Sequence, residues 1–253
     1  MKIIYYTHKN STPKFGWIHD DLVGELSAPP FGAYRRLEAT IPIKEILILN
    51  PVQPGKIIAV GRNYPEHAAE HQAEIPDLPL IFLKPPTTII GPSESIILPP
   101  QSQQIEHEAE LAVVIGRGGR WIEQEEVFDY VLGYTIANDV TARDLQNRDG
   151  QWTRAKGFDT FCPIGPWIET ELDPSDLLIT CRVNGEIRQM SSTREMVFSI
   201  PQLIVYISSV MTLMPGDLIL TGTPAGVSKI VDGDEIEIEI EGIGKLSNHV
   251  GKE

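Results

Sequence analysis

The chain has 253 residues, with 35 Asp and Glu against 21 Lys and Arg, for a formal charge of −14. That length holds one large domain, or one domain with a small extra module. The acidic balance argues against nucleic acid and anionic membrane surfaces, which bind through clustered Lys and Arg.

In chain order, residues 2–49 read as a small β-rich module that ends at the proline-bearing segment Asn50-Pro51-Val52-Gln53-Pro54-Gly55. This divides the chain into a small N-terminal domain, residues 1–51, and a strand-rich α+β domain, residues 52–253. Apolar runs of strand length follow at 57–60, 80–83, 88–90, 111–115, 178–183 and 218–220. Between 234 and 241 glutamate and isoleucine alternate strictly, which turns the isoleucines to a core and the glutamates to water. Helical signals are short. Asn63-Tyr64-Pro65-Glu66 reads as a cap, an early-turn proline and a capping-box acid, opening a helix that runs toward Glu74. A second helix is expected over 141–147. A third follows Ser199 in the uncharged stretch 196–216, whose serines, Pro201 and Gln202 make it a buried core helix rather than a membrane span. Cys162 and Cys181 form neither a disulfide framework nor a thiolate zinc site, and with no basic-then-apolar leader at Met1 the expectation is a cytoplasmic protein.

Several residues could carry chemistry. Glu106, Glu108 and Glu110 alternate just before the apolar run Ala112-Val113-Val114-Ile115, so a strand would point all three carboxylates one way. They are either a solvated strand face or, at a partly buried strand end, an oxygen-only site for Mg²⁺, Mn²⁺ or Ca²⁺. Asp139 lies where an apolar run gives way to helix-like residues, as a helix cap or as a third carboxylate beside that pair. Arg143 and Gln146 share a helix face, and Lys156 follows among aromatics; each is a surface residue or part of a clamp for a substrate carboxylate and oxyanion. His67-Ala68-Ala69-Glu70-His71 has three readings: an exposed polar helix, a His67–Glu70 general-base pair, or the inverted zinc-peptidase motif. The glycines of Thr221-Gly222-Thr223-Pro224-Ala225-Gly226 either free backbone N–H groups for an anion or simply turn the chain. Neither a Gly-x-Ser-x-Gly elbow nor a Walker loop is present, and Gly116-Arg117-Gly118-Gly119 reads as a turn.

Taken together, these blocks resemble the fumarylacetoacetate hydrolase family, most closely its short members acting on acylpyruvates and oxaloacetate. The resemblance spans residues 56–250. It rests on Val60-Gly61-Arg62-Asn63-Tyr64 with His67 and Glu70, Phe82-Leu83-Lys84-Pro85, Glu108-Ala109-Glu110-Leu111, Asn138-Asp139-Val140-Thr141-Ala142-Arg143-Asp144-Leu145-Gln146, residues 152–156, Val183-Asn184-Gly185 and Leu220-Thr221-Gly222-Thr223-Pro224. So many blocks in one order are specific where each alone is not.

The resemblance implies a mixed β-sandwich roll, usually dimeric, preceded by a small N-terminal β-rich domain. It implies a divalent ion, normally Mg²⁺ with Mn²⁺ or Ca²⁺ as substitutes, held by Glu108, Glu110 and Asp139, with Glu106 outside the ligand set. His67 and Glu70 match a catalytic dyad on a lid helix. Arg143, Gln146, Lys156 and Thr223 match substrate-contacting positions, and Lys156 is counted with the catalytic group. The activity expected first is C–C hydrolysis of an acylpyruvate or fumarylpyruvate through a metal-stabilised enolate. Isomerisation of 2-hydroxyhepta-2,4-diene-1,7-dioate and decarboxylation of an oxaloacetate-type acid are the alternatives within the family. Outside it stand a zinc peptidase on His67 and His71 and a binding module whose carboxylates fix a structural cation. The partner is thus a small dicarboxylate or oxo acid, with a homodimer as the expected assembly.

Overall fold

The strand Ala109–Ile115 is buried at every position, because both of its faces are covered. Leu111, Val113 and Ile115 enter one hydrophobic cluster while Ala112 and Val114 enter another, as the two-residue period of a strand requires. In this computed structural model, which describes residues 1–9 and 11–252, that strand is central to a twelve-stranded sheet. It pairs antiparallel with Val131–Asn138 on one side and Leu218–Leu220 on the other. Beyond Leu218–Leu220 lie Ile57–Gly61, parallel to it, and then Leu80–Lys84. On the opposite flank Val131–Asn138 pairs with Cys162–Glu169, which in turn pairs with the first strand, Lys2–His8. The N-terminal meander therefore continues the large sheet, with Lys2 opposite Glu169 and Ile3 opposite Ile168.

A second sheet has five strands, ordered Glu186–Ser192, Leu178–Val183, Glu235–Ile240, Gly244–Lys252 and Ser95–Leu98. Its Ile179, Val183, Ile236, Ile238 and Ile240 share a cluster with Leu111, Val113 and Ile115, so one apolar layer joins the two sheets. The glutamates between those isoleucines turn outward, where Glu237 meets Lys245 at 3.0 Å and Glu239 meets Arg182 at 3.1 Å. The fold is the strand-rich α+β architecture expected from the sequence.

Local details depart from expectation. The alternating segment around Glu108 is not one strand: Ile105–Glu106 pairs with Thr141–Ala142 in a separate ribbon, and the large sheet resumes only at Ala109. The first helix is confined to Pro65–Glu70 and does not reach Glu74, since Gln72 takes a left-handed φ of 52° and turns the chain away. Tyr64, not Asn63, is its N-cap, and no side chain caps it. The second helix is Arg143–Asp149, because Thr141 and Ala142 are used by the ribbon. The third, Ile200–Val210, matches its sequence signals: Ser199 is the N-cap, its backbone N–H donates to Gln202 Oε1 at 2.8 Å, and Leu203, Ile204 and Ile207 are buried. Among the described residues, no helix is long and apolar enough to cross a membrane.

Asn63 is fully buried, and its carboxamide is a clasp rather than a cap. Its Nδ2 donates to Thr221 O at 2.8 Å and Phe198 O at 3.1 Å, and its Oδ1 accepts from Phe198 N at 2.7 Å. It thus ties the root of the Pro65–Glu70 helix to the end of strand Leu218–Leu220. Asn63→Ala strands those backbone groups and is expected to destabilise the protein by about 1–3 kcal/mol, read as a lower urea midpoint.

Candidate active site

The strand ends around Asn63 enclose a chamber of about 380 Å³. His67, Glu108, Glu110, Asp139, Arg143, Gln146, Lys156 and Thr223 line it, whereas Glu70 and Glu106 do not. Glu108 and Glu110 enter from the start of the central strand. Asp139 enters from just past the neighbouring strand Val131–Asn138, where its N–H donates to Glu108 O at 2.9 Å. Arg143 and Gln146 come from helix Arg143–Asp149, Lys156 from the end of helix Thr153–Lys156, and Thr223 from the loop after Leu218–Leu220. Gly61 sits against the Trp152 indole, and a Cβ there would lie 2.5 Å from the ring.

The glutamates are not a solvated face. Glu106, Glu108 and Glu110 are 6%, 4% and 1% exposed, and Asp139 is 1% exposed. Buried carboxylates need partners, and three buried cations provide them. Lys156 Nζ lies 2.7 Å from Glu108 Oε2 and 2.6 Å from Asp139 Oδ2. Lys84 Nζ lies 2.6 Å from Asp139 Oδ1. Arg143 spans Glu106 Oε2 at 2.7 Å and Glu108 Oε1 at 2.5 Å, while its remaining arm donates to Gln146 Oε1 at 2.5 Å. Asp139 is therefore no helix cap. Arg143 and Lys156, expected to face a substrate, are here committed to carboxylates.

Four carboxyl groups thus share three cations, and Glu110 is the one left over. It accepts from Gly222 N at 2.7 Å, which is possible because Gly222 adopts a φ of 97°. Burial, with Asp139 and Glu108 alongside, raises the Glu110 pKa well above the ordinary carboxyl value. Glu108 moves the other way: burial opposes its charge, but Lys156 and Arg143 outweigh that and hold it well below the usual carboxylate range. The same balance raises Lys156, where Asp139 and Glu108 overcome burial.

Glu108, Glu110 and Asp139 place ligand-type oxygens within 4.8 Å of one another. An all-carboxylate set with one member short of a cation suits a hard divalent ion. A second group of ligand-type side chains, His67, Glu70 and His71, also falls within 4.8 Å. Burial pushes the His67 ring down to about 4, so it is neutral near pH 7. Glu70 Oε2 is 3.5 Å from His67 Nδ1, too far for a hydrogen bond.

Sequence reasoning assigned no role to Lys84, Gln189 or His107. Gln189 Nε2 donates to Thr223 Oγ1 at 2.8 Å, and Thr223 in turn donates to Ala109 O at 2.9 Å. The Thr223 hydroxyl hydrogen is therefore already used, and this side chain offers the chamber an acceptor. His107 packs behind, between Gln189 Oε1 and Ser228 Oγ, each at 2.9 Å. Lys84 and Gln189 come from strands remote in sequence from the carboxylates, and His107, although next to Glu108, is defined by partners 82 and 121 positions away. Both cysteines are buried and their thiols are pushed up to about 12 by burial, which leaves no thiolate chemistry.

Residues 56–251 match the family described as fumarylacetoacetate (FAA) hydrolase C-terminal, and residues 1–51 match one described as Rv2993c-like, N-terminal. An uncharacterized protein of Methanocaldococcus jannaschii is 54% identical over 211 residues, covering 83% of this chain and 89% of its own. The mitochondrial oxaloacetate tautomerase of Rattus norvegicus is 46% identical over 233 residues, 86% of this chain and 74% of its own. The crystal structure of 2-hydroxyhepta-2,4-diene-1,7-dioate isomerase from Mycobacterium marinum superposes with a TM-score of 0.92 at 43% identity, covering 100% of this chain and 99% of that one.

Charge balance separates the two strand glutamates experimentally. Glu108→Gln removes the partner of two buried cations and is expected to destabilise the metal-free protein by about 3–5 kcal/mol. Glu110→Gln, which replaces a group already favoured neutral, is expected to leave the metal-free melting temperature unchanged or higher. Since burial favours the protonated form of Glu110, a divalent ion held there is expected to release a proton on binding and to bind more tightly as pH rises. Calorimetry in buffers of different ionisation enthalpy reads that proton, and Glu110→Gln abolishes it.

Proposed function

The chain belongs to the fumarylacetoacetate hydrolase family, and from that premise we propose that it relocates a proton in a short 2-oxo dicarboxylic acid, interconverting keto and enol forms, with a divalent ion, normally Mg²⁺, at Glu108, Glu110 and Asp139. The observation that carries this reading is the buried carboxylate trio with one uncompensated member, set in a chamber of about 380 Å³ beside a neutral histidine. Relatives named as an oxaloacetate tautomerase and a dienedioate isomerase support proton relocation over bond cleavage.

A bound divalent ion supplies Lewis acidity that lowers the cost of negative charge on the substrate's 2-oxo oxygen. The chain's own residues do the rest. Lys156, held between Glu108 and Asp139, would present its ammonium to a substrate oxygen beside an ion bound by those carboxylates. Gln146 braces the Arg143 guanidinium against the Glu106–Glu108 side of the chamber. His67, neutral and on the wall, accepts the proton leaving the substrate and returns it at the alternative atom.

Arg62 anchors the second carboxylate. Among the described residues it is the chamber arginine or lysine with no carboxylate oxygen within 4 Å, since Arg143 and Lys156 are both paired. Its left-handed φ of 58°, unusual for a side chain of this size, is held at the end of strand Ile57–Gly61.

A second reading, hydrolysis of the C–C bond in an acylpyruvate or fumarylpyruvate, is favoured by His67 and Glu70 on one helix face at 3.5 Å. A modest closure of that helix would let the carboxylate orient the imidazole toward water. The assembly we propose is a homodimer, which sedimentation reads as twice 28.1 kDa.

One assay separates the chemistries. Oxaloacetate, acylpyruvates, fumarylpyruvate and the heptadienedioate are incubated with Mg²⁺ or Mn²⁺, and proton exchange, carbon dioxide and cleavage products are followed by NMR. Enol–keto exchange without new carbon fragments is the expected result; pyruvate released together with a second acid sinks proton relocation and establishes hydrolysis. His67→Ala is expected to lower kcat by roughly 10²–10⁴ while divalent-ion affinity stays unchanged. Arg62→Ala is expected to raise KM for dicarboxylates by about 10–100-fold and to spare monocarboxylates, measured as paired steady-state kinetics.

A further inference from the structure

Helix Pro65–Glu70 and its C-cap His71 carry ligand-type side chains that the proposed reaction uses only in part. His67 and His71 are one helical turn apart, with ring centroids 4.7 Å apart and planes at 75°. His67 Nδ1 is buried and has no hydrogen-bond partner. Its neighbour Glu70 Oε2 stands at 3.5 Å, and that carboxylate is oriented by the Gly226 N–H at 3.3 Å from each oxygen. A gap of 3.5 Å is wrong for a hydrogen bond but right for two ligands of one ion. Bonds of roughly 2.0–2.2 Å at a tetrahedral angle place neighbouring ligand atoms about 3.4 Å apart. Glu70 and His71 are exposed, which leaves room for water in the remaining positions and a path of entry.

We infer that His67, Glu70 and His71 form a second cation site, one for a borderline transition ion such as Zn²⁺, and that its occupation switches the enzyme off. Donor chemistry keeps the two sites apart. The three buried carboxylates suit a hard ion, whereas two imidazoles and one carboxylate suit Zn²⁺ or Cu²⁺ and bind Mg²⁺ poorly. The switch follows from the tautomer. An ion on Nδ1 forces the ring proton onto Nε2, so neither nitrogen of His67 remains able to accept a proton. That consequence rests on His67 being the base proposed above; binding of the ion does not.

The test uses full-length protein saturated with Mg²⁺, titrated with Zn²⁺ by calorimetry and by turnover, with Cu²⁺ as the spectroscopic probe. One further Zn²⁺ per chain is expected to bind and to abolish turnover. Cu²⁺ is expected to show electron-spin coupling to two imidazole nitrogens. His71→Ala leaves turnover without zinc unchanged, raises the zinc concentration for half-inhibition at least about tenfold, and reduces the coupling to one imidazole. His71→Gln is expected to behave alike and covers the case in which the alanine variant does not fold. Zinc that binds wild type and both variants equally, or that saturating Mg²⁺ excludes, overturns the proposal by placing zinc on the carboxylates. Two-imidazole binding that leaves turnover untouched upholds the site and overturns His67 as the base.

Discussion

Four buried carboxyl groups set against three buried cations is the constraint around which the structure is arranged. Glu106, Glu108, Glu110 and Asp139 meet Lys84, Arg143 and Lys156 where almost no water reaches. An unpaired charge there is costly, and removing one partner from such a pair typically costs several kcal/mol. The cluster is therefore stable only if every member is held in register. The carboxylates are accordingly held at the start of the central strand, just past its neighbour and in the adjoining two-stranded ribbon, while the cations come from an edge strand and two short helices. The one carboxyl without a cation partner is Glu110, where burial beside Asp139 and Glu108 favours the neutral acid.

The remainder of the site follows from that core. Strands buried on both faces can hold Glu108 and Asp139 rigidly, since neither backbone can shift without opening an apolar layer. The helix carrying His67 is different: only six residues long, without a side-chain cap and anchored at its root by Asn63. Its far end is exposed at Glu70 and His71, whereas the carboxylate cluster is buried. Buried charges below and a short, partly exposed helix above leave one side of the chamber close to solvent.

Much of this was legible in particular residues. The alternation of glutamate and isoleucine after Asp234 reports a strand with one buried face, because a period of two leaves no other option. Ser199, Pro201 and Gln202 report a helix start through local capping alone. The block from Asn138 to Gln146, joined to Glu108 and Glu110, pointed to a family and to a candidate site whose members do converge on one chamber, Glu70 standing just off its wall. Where expectation missed, a non-local partner had overridden a local preference. Asn63 has the composition of a cap but is claimed by Phe198 and Thr221. Glu106 fits the alternating strand but is claimed by Arg143.

By itself the sequence determined the class of fold, the core-facing pattern of its strands and the set of residues that could carry chemistry, since these depend on periodicity and on neighbours a few positions away. Only the tertiary structure decided how the charges are shared. Lys84 reaches Asp139 across 55 positions, Lys156 bridges Asp139 and Glu108, and Gln189 takes up the hydroxyl of Thr223. Such partnerships depend on which strands become neighbours and how far water is excluded. Those are properties of the folded chain as a whole, so the −14 of the composition could not reveal that Glu106, Glu108, Glu110 and Asp139 lie buried among cations.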